Sequence, residues 1–152
     1  MKGLLKSFAY AFNGLKNAIL TERNFRIHMA AIYFVLYFAS LYGLTSTQYA
    51  VLAIILALIP ALELVNTALE NTVNMITEKH SDFAKIAKDS AAAAVLVASI
   101  GAVGVAISLF SDVEKLLNAL NLILSIPHFP ILIITAIFWI YFIFFFGEKR
   151  DK

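Results

Sequence analysis

Four side chains that carry oxygen recur at helical spacing inside an oily stretch: Glu63, Asn66, Glu70 and Asn74. Steps of three, four and four residues place them in one stripe on a helix of 3.6 residues per turn. Glu63 and Glu70 then stand two turns apart, about 10 Å along the axis. The intervening Leu64, Val65, Leu69 and Val73 suit lipid or a neighbouring helix. A carboxylate in hydrocarbon costs about 2.5 kcal/mol or more, so its presence is by default a functional signal. Two carboxylates and two carboxamides on one face can hold a divalent metal and activate a hydroxyl. The competing reading is structural: glutamates tying helices together, paired with Asn or Lys.

The elements that must position this stripe follow from the hydropathy pattern. Residues Tyr49 to Leu62 form an apolar run, so the stripe lies in the second half of a span reaching about Thr77. Pro60 removes one helical donor and is expected to bend that span or locally open its hydrogen bonding. A preceding span covers roughly Ile27 to Leu44, and the short uncharged link TSTQ (Thr45 to Gln48) makes the two an antiparallel hairpin. The polar segment EKHSDFAKIAKD (78–89) leads to a third span, Ser90 to about Phe110, whose alanines, Gly101 and Gly104 favour close helix packing in lipid. Upstream, Leu4, Leu5, Phe8, Ala11, Phe12, Leu15, Ala18 and Ile19 recur at helical spacing with lysines and asparagines on the other face. This is the pattern of a basic amphipathic helix lying in the membrane interface. Downstream, Val113, Leu116, Leu117, Leu120 and Leu124 suggest a second interfacial helix, ended by Pro127 and Pro130. Ile131 to Phe146 is then a candidate fourth span.

The expected fold class is therefore all-α: an integral membrane helical bundle with an N-terminal interfacial helix, three core spans and a fourth C-terminal span. Of 152 residues, 61% are hydrophobic, which exceeds the usual half of a soluble domain. Net charge is +2, so nucleic acid is not an indicated partner, and cysteine is absent, excluding disulfides and thiolate metal sites. The first 26 residues lack an uninterrupted apolar core with a small-residue cleavage site, so the first span is expected to insert uncleaved. Eleven of the twelve basic residues precede the first span, lie between the second and third, or end the chain; only Lys115 falls on the other side. The positive-inside rule then predicts both termini in the cytoplasm.

Three motifs resemble one family, the prokaryotic integral-membrane diacylglycerol kinases and undecaprenol kinases. ELVNTALENTVN (63–74) resembles the pattern E-x-x-N-[ST]-A-x-E-x-x-x-D, and AKIAKDSAAAAVL (84–96) is similar to A-K-D-x-x-[AS]-A-A-V-L. TERNFRIH (21–28) resembles the version in undecaprenol kinases of Gram-positive type. The resemblance covers roughly Ser7 to Phe110. It divides the chain into a lipid kinase core at 1–111 and an added segment at 112–152. It implies a homotrimer in the bacterial cytoplasmic membrane, with sites shared between subunits at the cytoplasmic surface. It further implies Glu63 as general base for the lipid hydroxyl, and Glu22 and Glu70 as ligands of Mg²⁺ bridging the ATP phosphates. Asn66 would help position that site, Lys88 would contact phosphate with Asp89 alongside, and the first helix would cover the nucleotide. Asn74 departs from the pattern, which has Asp there; Asn offers one neutral oxygen and a donor instead. Glu78, four residues on, can reach the same face and is expected to compensate.

Residue chemistry agrees with that resemblance. Phosphoryl transfer needs positioning, a divalent metal and positive charge on the phosphates. Mg²⁺ takes oxygen ligands, commonly one or two carboxylates plus phosphates. A lipid alcohol is a weak nucleophile, and a carboxylate in apolar surroundings is a stronger base for its proton. No G-x-x-x-x-G-K-[ST] loop is present, so ATP would be held by side chains. The expected activity is an ATP-dependent lipid kinase, with undecaprenol the favoured acceptor on the TERNFRIH likeness and diacylglycerol the alternative. A non-catalytic scaffold or a small transporter are the readings of other classes. The near absence of charge in spans one and three weighs against transport.

Overall fold

The computed structural model describes residues 2–76 and 81–147, and these form six helices and no strands. They are α1 (Lys2–Thr21), α2 (Arg23–Tyr42), α3 (Ser46–Ile76), α4 (Asp82–Leu109), α5 (Val113–Ile123) and α6 (His128–Phe144). Glu78, the tail from Glu148 and the expected end of span two at Thr77 lie outside the described residues.

The boundaries have local causes. Glu22, in extended conformation, is the single residue separating α1 from α2. The polar TERNFRIH segment therefore does not merely precede the first span: Arg23 to His28 form the first turns of α2. Gly43 ends α2 at φ 76°, a left-handed position that glycine takes without the Cβ penalty, and its N–H bonds the Ala39 carbonyl at 3.2 Å. The TSTQ link does more than connect. The Thr45 N–H donates to Gln48 Oε1 at 2.9 Å, and the Gln48 N–H donates to Thr45 Oγ1 at 3.3 Å, a reciprocal capping box that starts α3. α3 then continues through Pro60 as one helix. Asp112 Oδ1 accepts the Lys115 N–H at 3.1 Å and caps α5. Pro130 does not terminate α5 as expected; it sits in the first turn of α6, where a missing N–H costs nothing.

α2, α3 and α4 are each long and apolar enough to cross a membrane, and α5 with α6 adds a fourth crossing if that bent pair counts as one span. The two halves of the pair meet at 79°, so the fourth span is not a simple rod. α6 runs back along α2: Tyr37 meets His128, Tyr33 stacks near Trp139 at 5.8 Å, and Arg26 meets Ile143. α5 lies against the far end of α2, where Ala39, Tyr42, Leu44, Leu52 and Ala119 form a small core. There the Tyr42 hydroxyl accepts the Asp112 N–H at 2.9 Å, and Phe110 packs edge-on against Tyr42 at 5.0 Å. Among the described residues only nine hydrophobic side chains are buried, and α6 buries none. So little interior for so much apolar surface is a fold whose outer solvent is lipid.

Candidate functional site

Glu63 and Asn66 are among the few buried polar residues, 4% and 7% exposed, and Thr67 lies buried beside them. α3 brings them there because α4 packs along it more extensively than any other pair of helices. A cavity of about 330 Å³ opens at this place. α3 supplies Glu63, Asn66 and Glu70; α2 supplies Asn24, Ile27 and His28; Val95, Leu96 and Ser99 of α4 close the other side. The Ser99 hydroxyl donates to its own helix at the Val95 carbonyl, 2.9 Å.

The polar groups are arranged in a chain. Asn66 Nδ2 donates to Glu70 Oε1 at 3.0 Å, one turn along the helix. Asn66 Oδ1 is buried and has no hydrogen-bond partner, although such an orphan costs about 1–3 kcal/mol. Asn24 lies beside Glu63 in the cavity, and the charges of Glu22 and Glu70 both act on Glu63. Three carboxylates thus share one electrostatic neighbourhood. Glu22 itself stands at the α1–α2 corner, where the Thr21 hydroxyl lies 3.0 Å from both its Oε1 and the Asn17 carbonyl.

The remaining sequence candidates lie elsewhere. Lys88 is half-buried on α4, outside the cavity, and its Nζ donates to Asn74 Oδ1 at 2.6 Å. Asp89 is exposed on the same helix, and Asn74 is exposed on α3. Asn74 therefore engages a lysine in this arrangement. Sequence reasoning did not single out Asn24, His28 or Ser99 as pocket residues. Asn24 and His28 were within reach, since TERNFRIH holds both and helical continuation from Arg23 turns both toward α3; Ser99, one hydroxyl in an apolar span, carried no signal.

Among the described residues no three acidic or histidine side chains converge closely enough to cage an ion alone. The cavity's own oxygens, the Glu70 carboxylate and the orphaned Asn66 Oδ1, are of the kind a hard cation takes when phosphate oxygens complete its shell, whereas Glu22 stands at the α1–α2 corner and does not line the cavity.

Fold and cavity together define a small helical membrane protein with a polar site near one end of its spans. Comparison with known proteins places it: residues 9–110 match the prokaryotic diacylglycerol kinase family, and the chain belongs to that family. The diacylglycerol kinase of Synechocystis sp. is 48% identical over 101 residues, which are 66% of this chain and 58% of that protein. The undecaprenol kinase of Bacillus subtilis is 42% identical over 95 residues, 62% of this chain and 77% of that protein. The chain thus spans less than two thirds of the Synechocystis relative. No solved structure matches. The family match stops at Phe110, so α5 and α6 lie beyond it.

Proposed function

We propose that this chain is an ATP-dependent lipid kinase that transfers the γ-phosphate of MgATP to the hydroxyl of a membrane lipid alcohol. The observation that carries the proposal is the buried Glu63 in a cavity shared by α2, α3 and α4, with Asn24 beside it and Glu70 on the same face. Glu63 accepts the hydroxyl proton as the lipid oxygen bonds to the γ-phosphorus; the bond from that phosphorus to the β,γ-bridging oxygen breaks and ADP leaves. Val95 and Leu96 give the lipid an apolar approach to that hydroxyl position from the α4 side. Glu70, Glu22 and the Asn66 carboxamide oxygen would hold Mg²⁺, which would supply positive charge against the phosphates. Asn66 Nδ2 fixes the Glu70 carboxylate for that task. Lys88, with Asp89 alongside, reaches the phosphates by exchanging its contact with Asn74 for one with the nucleotide.

The favoured acceptor is undecaprenol, on the likeness of TERNFRIH to that branch; the 48% identity to a relative named diacylglycerol kinase supports diacylglycerol as the second reading. The chain acts as a homotrimer in the bacterial cytoplasmic membrane, with both termini in the cytoplasm beside the ATP pool. Transfer of labelled phosphate from ATP to each lipid, in one detergent, tests both levels. Labelling of either lipid that disappears in Glu63→Gln supports the kinase reading. Wild-type protein that labels neither refutes it, and the faster lipid identifies the acceptor.

A further inference from the structure

The segment beyond the family match returns to the corner that carries Glu22. Arg26, 7% exposed, reaches back from α2 with its whole guanidinium engaged. Nη1 donates to the carbonyls of Ile19 at 2.8 Å and Leu20 at 3.2 Å, in the last turn of α1. Nε and Nη2 donate to the Ile143 carbonyl at 3.4 and 3.3 Å, in the last turn of α6. Two helix C-termini, each the negative end of its dipole and each with unpaired carbonyls, thus converge on one cation. Gly147 closes the same contact from the other side. Its φ is +103°, and a Cβ built there would run into the Leu20 carbonyl oxygen and stand 2.8 Å from Arg26 Nη1. Only glycine lets the chain lie against the end of α1 in this way. One residue on from Leu20, Thr21 holds the Glu22 carboxylate, and the charge of Glu22 in turn acts on Arg26.

We propose that α6 is a brace for the nucleotide side of the site: Arg26 and Gly147 are positioning residues that set the α1–α2 corner and through it the direction of the Glu22 carboxylate. This rests on the assignment of Glu22 to the metal–nucleotide site in the lipid kinase reading. Because Glu22 is the whole linker between two helices, its side chain points wherever the angle between them directs it. One guanidinium fixes that angle at two α1 carbonyls and is itself held by the Ile143 carbonyl of α6. The added C-terminal segment therefore tunes MgATP affinity without touching nucleotide or lipid.

The test compares full-length Arg26→Gln and Gly147→Ala with Tyr42→Phe, which removes the link to Asp112 at the opposite end of α2. Three quantities are read: Mg²⁺-dependent affinity for a fluorescent ATP analogue, KM for MgATP and lipid separately, and emission of Trp139. This is the protein's single tryptophan; it belongs to α6, and its ring lies 5.8 Å from that of Tyr33 on α2. In Arg26→Gln and Gly147→Ala, nucleotide affinity should fall about tenfold, the usual cost of losing an outer-shell support. KM for MgATP should rise in step, KM for lipid should stay within about twofold, and Trp139 emission should shift. Tyr42→Phe should leave nucleotide affinity unchanged. Unchanged affinity in Gly147→Ala and Arg26→Gln overturns the brace, as does an equal loss in Tyr42→Phe, which would mean general loosening. The binding comparison decides the matter without turnover, so a wild type that binds MgATP yet phosphorylates neither lipid sinks the kinase reading alone.

Discussion

Replacing Asn66 by Leu separates the chemical from the structural reading of the stripe. The change removes two things at once. One is the hydrogen bond from Nδ2 to the Glu70 carboxylate at 3.0 Å, worth about 1.5–3 kcal/mol as a bond to a charged group. The other is the buried, partnerless Oδ1, whose desolvation costs about 1–3 kcal/mol and which a leucine of similar size relieves. Without nucleotide the two oppose each other, so apo stability should change by no more than about 2 kcal/mol in either direction. With MgATP they do not cancel. On the proposed metal role the bound state would lose the Asn66 oxygen and the group that orients Glu70, about 1.5–3 kcal/mol, or roughly a 10- to 100-fold weaker nucleotide at fixed Mg²⁺. Thermal denaturation in detergent with and without MgATP, together with a fluorescent-nucleotide titration, measures both numbers. Leu at position 66 that unfolds the apo protein while nucleotide affinity is retained would show that Asn66 serves helix packing, and the argument from the orphaned oxygen would fall.

Other outcomes follow from the same geometry. Glu63→Gln should reduce transfer by about 100-fold or more while MgATP affinity stays within a few-fold, because the proposed base is lost and the proposed metal donors remain; retained turnover would remove Glu63 from its role. Glu70→Gln should act the other way, raising the Mg²⁺ needed for nucleotide binding. Lys88→Ala should raise KM for ATP about tenfold. Asn74→Asp should hold Lys88 in an ion pair and raise that KM too, with little change in Mg²⁺ requirement; a sharp drop in the Mg²⁺ needed would instead make position 74 a metal position. The chain has no cysteine, so Ser46→Cys and Glu114→Cys should each react with an impermeant reagent outside intact cells. Reaction of Ser81→Cys under those conditions would invert the proposed topology.

The spans were legible because lipid imposes a single rule, long apolar runs with charges outside, and α2, α3 and α4 obey it. The stripe was legible because Glu63, Asn66 and Glu70 fall on one helical face whatever the tertiary structure. Arg26 was not. In the sequence it is one of several basic residues near the first span and counts toward topology; only the folding of α6 back along α2 reveals the carbonyls it serves. The position of Lys88 opposite Asn74 was hidden for the same reason, since it depends on how far α4 slides along α3. Pro130 was misjudged as a terminator because proline stops a helix from inside yet suits its first turn, and the two cases differ by the placement of a single boundary.

The one-residue linker at Glu22 makes α1 a mechanical arm with its fulcrum at a carboxylate. Twenty residues reach about 30 Å, so each degree of rotation about that fulcrum carries the far tip of the arm about 0.5 Å. Arg26 holds the arm close to the pivot, at the last-turn carbonyls, where its leverage is smallest. The exposed Leu4, Leu5 and Phe8 ride near the other end, where leverage is greatest. A modest force on those side chains from the acyl boundary outweighs a much larger one at the clamp.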